Sequence, residues 1–376
     1  MSALKPCRVK ADTLYVDHIK TQRGRARYLI ISGVDISKAA SDLGPDRPFP
    51  DYMALRDALQ PDIIDVRTIA SVTNPLVRLV RRRLGPQWAI AVAALLRARR
   101  YDAVIATGED VGLPLALLAK VLVRRFPLIM TCHNISTRRP AFYLGRLGVG
   151  MVVRTFQCLS LAQSRILIAR YGIDPSRIQV IHWFVDARFF TPCPDAPVCD
   201  QICSAGMASR DYATLVAAAK DLPVDVKIAA DSPWFRQAVN IADGDIPARV
   251  EVRSYGTYAA LRQLYAESLF VVVPLLDVEF SAGYTVILEA MAMGRAVIVS
   301  RIKQQDDFVV DGWNGFYVEP GNVEQLRERI RFLLDHPEEA KRLGANGRAM
   351  VEERFTLDKY VGLMQETLRD MAAQLA

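Results

Sequence analysis

Twice along its 376 residues the chain passes through short β-branched runs that alternate with longer apolar or amphipathic stretches. In the first half, Tyr28–Ser32, Ile63–Val66, Tyr101–Ala106 and Leu128–Cys132 read as strands. Asp51–Leu59, a basic region from about Leu76 to Arg99, and Leu113–Val123 read as the helices between them. In the second half the strands are Ile202–Ala205, Val226–Ala230, Leu269–Pro274, Ala296–Ser300 and Gly315–Val318. Helices are expected over Tyr212–Lys220, over the apolar run ending at Gly294, over Val323–Asp335 and Glu338–Glu352, and from Leu357 onward. Strands alternating with helices build doubly wound parallel α/β sheets, whose ligands bind beyond the carboxyl ends of the strands. The Pro-rich polar stretch Cys193–Asp200 separates the halves, which gives domains over 1–192 and 193–355 and a last segment over 356–376.

Composition narrows the compartment. Hydrophobic residues make up 51% and charged residues 24%, the balance of a globular chain that can fill two cores. The longest apolar stretches, Trp88–Leu96 and Leu113–Val123, fall short of the roughly 18–20 residues of a membrane span. The start, Met1 to Arg8, has no apolar signal-peptide core, so a cytoplasmic protein is expected. Six scattered cysteines without a C-x-x-C pair read as reduced thiols, and no structural metal is expected.

The net charge of +7 conceals a division. Residues 1–195 hold 29 Lys+Arg against 15 Asp+Glu, or +14; residues 196–376 hold 19 against 26, or −7. A basic half implies an anionic partner. No basic-and-aromatic single-strand pattern or docking motif points to nucleic acid. Arginines interleaved with leucines, above all Arg81, Arg82 and Arg83 in Leu76–Leu84, suit an anionic membrane surface or an acidic glycan-lipid instead. Arg138 and Arg139 are further candidates for such a contact.

One segment carries the chemistry. Ser281-Ala282-Gly283-Tyr284-Thr285 leads into an apolar helix that contains a single acid, Glu289, and ends at Gly294. A helix start offers unpaired backbone N–H groups and a positive dipole end, which suit a phosphate. Glu289 lies about two turns further in, where a carboxylate can accept from a pair of sugar hydroxyls. Phosphate at residues 282–285 and ribose at Glu289 describe a nucleoside diphosphate site.

The segment resembles the E-x7-E signature of family 4 glycosyltransferases, retaining enzymes of the GT-B fold. The second acid falls on Glu289; the first position is Ser281, a departure that removes a charge, with Glu279 two residues earlier. Tyr171 to Pro192 is similar to the stretch in which the family's first domain closes, with His182-Trp183-Phe184 where Pro-Asn-Gly is usual. The resemblance implies two Rossmann-like domains facing a cleft and a final helix that crosses back to the first domain. It implies a nucleotide-sugar donor held by Gly206, Arg210, Ala282, Gly283, Tyr284, Thr285 and Glu289, with Gly33 approaching the diphosphate and His133 and Ser281 near the reacting sugar. Met207 stands where the family commonly places an Arg, so one phosphate-binding cation is missing.

The resulting expectation is transfer of a sugar, with retention, to a glycan or lipid-linked acceptor, by a cytoplasmic enzyme peripheral to the inner membrane. No cofactor or metal is expected: Asp243-Gly-Asp245 lies in a polar loop and not at a strand end. Ser281 and Met207 also motivate an alternative, a non-catalytic nucleotide-sugar-binding protein of the same fold. A sugar-nucleotide epimerase or hydrolase is a further one.

Overall fold

The computed structural model describes residues 26–36, 44–230, 246–278, 281–303 and 307–375. Glu279 and the Asp243–Asp245 motif lie outside them. The chain divides into two compact units. Of the described residues, one unit holds 26–36, Phe49–His182 and the chain from Tyr360; the other holds Gly44–Pro48 and Trp183–Lys359.

The first unit runs β1 (Tyr28–Ile31), α1 (Asp51–Leu59), β2 (Asp62–Ile64), α2 (Val66–Ala70), α3 (Pro75–Leu84), α4 (Pro86–Leu95), β3 (Ala103–Ala106), α5 (Glu109–Val121), β4 (Leu128–Cys132), β5 (Thr155–Cys158), α6 (Leu161–Tyr171) and β6 (Ile178–Val180). Its six-stranded sheet has the order β2-β1-β3-β4-β5-β6, and every pair is parallel. The order reverses between β1 and β3, and the crevice at such a reversal is where doubly wound sheets take ligands. The basic region around Leu76–Arg99 is two helices, not one. Gly85 adopts φ 92° and Pro86 opens the second helix, a position where proline's missing N–H costs nothing.

The second unit runs β7 (Gln201–Ala205), α7 (Tyr212–Ala219), β8 (Asp225–Ala229), β9 (Val250–Arg253), α8 (Tyr258–Glu267), β10 (Val271–Val273), α9 (Tyr284–Ala292), β11 (Val297–Ser300), β12 (Gly315–Val318), α10 (Val323–Asp335) and α11 (Pro337–Arg354). The strand order is β12-β11-β10-β7-β8-β9, again all parallel, with its reversal between β7 and β10. Successive residues of these strands point to opposite faces. Val271, Val273, Val297 and Val299 enter one core with Ile287 and Leu288 of α9. Phe270, Val272, Ala296 and Ile298 enter the other with Leu215 of α7 and Leu326 and Ile330 of α10. Burial on both faces explains why the strands read as unbroken apolar runs.

The last helix, α12 (Leu357–Leu375), begins in the second unit and belongs to the first from Tyr360 on. There Thr367 accepts from the Gln157 side chain of β5 at 3.5 Å. Among the described residues no helix is long and apolar enough to cross a membrane, and no His/Cys/Asp/Glu group is arranged to hold a metal ion. Cys132, Cys158, Cys199 and Cys203 are free thiols. Cys193 is disulfide-bonded, which corrects the expectation of reduced thiols throughout.

α9 is fixed from behind by glycine. A Cβ at Gly344 of α11 would come within 2.1 Å of the Gly294 carbonyl oxygen, and one at Gly347 within 3.0 Å of Met291 Cγ. Only glycine lets α11 lie directly on the turn that ends α9. Gly344→Ala therefore lowers the unfolding free energy in a urea titration by about 1–3 kcal/mol, the usual range for overpacking. Gly362→Ala, with open space around it, does not lower it.

Candidate active site

The reversal point of the second sheet is built by two loops. After β7, Gly206 adopts φ 88°, and a Cβ there would sit 2.7 Å from Arg210 Nη2. Backbone conformation and side-chain space thus both demand glycine. The chain returns so that Arg210 bridges Leu275 beyond β10 and the Leu276 N–H donates to the Ser209 carbonyl at 3.0 Å. Arg210 Nε donates to the Ala205 carbonyl at 2.9 Å and Nη1 to the Ala208 carbonyl at 2.8 Å. Nη2 makes no hydrogen bond among the described residues. Burial pulls the guanidinium below its ordinary pKa, opposed by Tyr212, Tyr265 and Glu289. Tyr212 Oη donates to the Gly206 carbonyl and locks the loop from below.

The second loop is the signature segment. Ser281 is half-buried and Ala282 is buried. Gly283, at φ 82°, is the N-cap of α9 and packs against Val273 and Leu275. As a glycine, the N-cap has no side chain with which to cap this helix start. The Tyr284 ring turns into the core, 4.7 Å from that of Phe308, and Thr285 is exposed. Tyr284 and Thr285 therefore bring backbone N–H groups to the loop, the feature of a helix start that suits an anion.

Glu289 is 4% exposed. Its Oε2 accepts from Tyr265 Oη of α8 at 2.9 Å, so the carboxylate is partly tied within its own unit. Oε1 accepts no hydrogen bond among the described residues, yet it is not among the fully buried unpaired atoms. Burial raises the Glu289 pKa to about 8, against the lowering effects of the Tyr265 bond and Arg210. Burial, and then Glu289 itself, push Tyr265 well above its ordinary value. A carboxyl with one engaged and one unengaged oxygen, and a guanidinium with one unengaged nitrogen, can each take a single further polar partner.

In the first unit the strand ends also converge. A Cβ at Gly33, just beyond β1, would lie 1.8 Å from Asp110 Oδ2, so the Asp110 carboxylate rests on the Gly33 backbone. Glu109, the first residue of α5, is buried, and its Oε1 accepts from the His133 N–H at 2.7 Å and the Asn134 N–H at 2.8 Å. His133 Nε2 lies 2.8 Å from the Thr107 carbonyl, which makes that nitrogen the protonated one. Gly33, Gly108, Asp110 and His133 thus cluster where this sheet's order reverses. Glu109 and Asp110 escape a sequence reading because acids in a first helical turn are ordinary dipole partners.

The basic candidates separate. Arg81 Nη1 donates to the Ala70 carbonyl at 3.0 Å and the Ile69 carbonyl at 3.4 Å, so its charge closes the end of α2. Arg82, Arg83, Arg138 and Arg139 are exposed. Tyr265 was not anticipated from sequence, since α8 itself was not; a tyrosine three residues before a Ser-Leu-Phe strand entry was the available signal.

Comparison with known proteins finds a family description for each of two parts of the chain. The description "Glycosyltransferase Family 4" matches residues 26–189 and "Glycosyl transferases group 1" matches residues 212–350. An uncharacterized glycosyltransferase of Methanocaldococcus jannaschii, MJ1178, is 27% identical over 39% of this chain and 41% of its own length. The MMP alpha-(1->4)-mannosyltransferase of Mycolicibacterium hassiacum is 25% identical over 72% of this chain and 71% of its own. The crystal structure of Anabaena Alr3699/HepE in complex with UDP-glucose shares the fold, with a TM-score of 0.68 at 17% identity over 92% of this chain and 99% of that one. The chain therefore combines a glycosyltransferase family 4 domain with a glycosyl transferases group 1 domain in the two-sheet α/β architecture of the GT-B fold.

Proposed function

We propose that the protein transfers a sugar from a nucleoside diphosphate donor to a glycan or lipid-linked acceptor, with retention of configuration. The observation that carries this reading is the half-satisfied pair at the second sheet's reversal point. Arg210 keeps Nη2, and Glu289 keeps Oε1, beside a helix start whose N-cap is Gly283. In this reading the N–H groups at 282–285 and Arg210 take the diphosphate and Glu289 takes the ribose. The complex of the Anabaena relative with UDP-glucose supports a nucleotide-sugar donor.

The chemistry asked of the residues is positioning and charge stabilisation. As the glycosidic bond to the donor breaks, negative charge grows on the diphosphate, where a guanidinium and helix N–H groups are already aimed. The departing diphosphate, held on the acceptor's side, accepts the acceptor hydroxyl's proton, and the new bond forms on the face the leaving group vacates. Ser281 adds a hydroxyl but no charge near the sugar, and His133 has the sugar contact that the resemblance implies. Arg210 and the N–H groups supply the charge stabilisation without a divalent metal. In addition, we assign the basic first unit an anionic membrane surface as its partner.

Three outcomes are expected. Glu289→Ala weakens binding of UDP, GDP or ADP, whichever binds best, by about 10–100-fold in calorimetry. Unchanged affinity would remove the ribose role. An ionised Glu289 is the stronger acceptor, so wild-type binding tightens as the pH rises towards about 8. Tyr265→Phe removes a donor that favours the ionised form and moves this profile to higher pH; an unmoved profile would contradict the assignment. Finally, assays with UDP-, GDP- and ADP-sugars detect transfer, and EDTA leaves its rate unchanged. Binding without transfer or hydrolysis would favour the non-catalytic alternative.

A further inference from the structure

The first unit carries a surface that the donor site does not use. Residues 111–173 contain nine Lys+Arg and no Asp or Glu, and residues 66–101 contain eight and none. Three segments of this charge-biased region enter neighbouring strands: 96–102 leads into β3, 121–127 into β4 and 149–154 into β5. Because β3, β4 and β5 are adjacent and parallel, these segments lie side by side along the starting edge of the sheet. Hydrogen bonds from the Val104 N–H to the Pro127 carbonyl and from the Arg154 N–H to the Leu128 carbonyl, both 2.8 Å, hold them there. His133, after β4, and Gly33, after β1, lie at the other end of this sheet.

This edge is apolar as well as basic. Leu96 is 56% exposed, Val121 68%, Leu122 54%, Val123 80% and Met151 70%. Arg97, Arg99, Arg100, Arg124 and Arg125 are exposed among them and make no ion pair among the described residues. Of the three segments only 96–102 holds an acid, Asp102, which accepts from the Arg27 N–H at 2.7 Å; Asp62, at the start of β2, accepts from Tyr101 Oη at 2.7 Å.

α5 ends in a closing turn where the Arg124 N–H donates to the Ala119 carbonyl at 2.8 Å and the Val123 N–H to the Lys120 carbonyl at 3.3 Å. That bonding pattern puts Val123 at the position after the helix cap, which glycine normally fills because φ is positive there. Val123 has φ 50°. A β-branched residue in the left-handed region is strained, and its side chain, pointing into solvent, gains no packing within the fold in return.

We propose that this strand-start edge docks the protein on an anionic bilayer. Val121, Leu122 and Val123 enter the boundary between headgroups and acyl chains, and the flanking arginines lie over the phosphate layer. The surface consists of projecting helix ends with aliphatic tips, not a groove, which fits a fluid surface better than a shaped peptide. Unopposed arginines on either side of the tip set the sign of the partner's charge. The assignment rests on the membrane reading above but moves it from the arginines of α3 to the opposite end of the strands from His133.

The test is sedimentation with vesicles of equal parts phosphatidylglycerol and phosphatidylcholine, and with phosphatidylcholine alone. Wild type sediments with the anionic vesicles at low salt and is released at high salt. Val123→Gly weakens this binding several-fold while its Tm holds or rises, because glycine suits the turn. Arg124→Ala with Arg125→Ala weakens it about fivefold for each arginine, and Arg82→Ala with Arg83→Ala weakens it less. A wild type that never sediments, or sediments equally with neutral vesicles, overturns the membrane reading itself. Sedimentation unchanged in the Val123 and Arg124/Arg125 variants overturns only the edge assignment. Self-association in ultracentrifugation that Val123→Gly abolishes, without vesicle binding, makes a second copy the partner and overturns the proposal.

Discussion

A buried carboxylate that its own fold satisfies only by half governs the second unit. A buried group that keeps one polar atom within reach of solvent can offer it to a ligand without first breaking a hydrogen bond of its own fold. Here Tyr265 takes one oxygen of Glu289, and the other is left. Arg210 repeats the pattern, with two nitrogens spent on loop carbonyls and one kept. Burial then stores the carboxyl as its neutral form up to about pH 8. The rest of the unit serves this arrangement: Gly206 makes room for the guanidinium, Gly283 opens α9 beside Leu275, and Gly344 lets α11 fix the end of α9.

The first unit repeats the architectural logic with different chemistry. Its reversal point gathers the Asp110 carboxylate, the Gly33 backbone and a histidine whose ring and N–H are both anchored. An anchored imidazole loses little entropy when a ligand arrives, which is the advantage of a prearranged contact over a mobile one. Strain, in contrast, is placed at the far edge of the sheet, at Val123, where neither core packing nor the reversal point explains it.

Much of this was legible in the sequence, and for definable reasons. α1, α10, β4 and β12 fall where periodicity put them, because strong apolar runs are bounded there by Pro, Gly or polar residues. Gly206, Gly283 and Glu289 stood out because glycine at a strand-to-helix turn and a lone acid in an apolar helix are both rare without cause. What failed was short or ambiguous. β5 (Thr-Phe-Gln-Cys) and β9 (Val-Glu-Val-Arg) alternate apolar with polar or charged residues over only four positions, so neither reads as an apolar run. α8 mixes Tyr, Arg and Gln with its apolar residues, so Tyr265 arrived unannounced. Gly85-Pro86 is a readable break, but the arginines on both sides make the sequence read as one basic helical region.

The central claim concerns a proton. If the unengaged oxygen of Glu289 receives a hydroxyl of a bound nucleotide, ligand contact favours the ionised form and the buried carboxyl gives up its proton. Calorimetry of nucleoside diphosphate binding at neutral pH, in buffers of differing ionisation enthalpy, reads that event directly. The account predicts release of about one proton per nucleotide bound, abolished in Glu289→Gln. Binding with no proton released, or with the same release in the Gln variant, would contradict it.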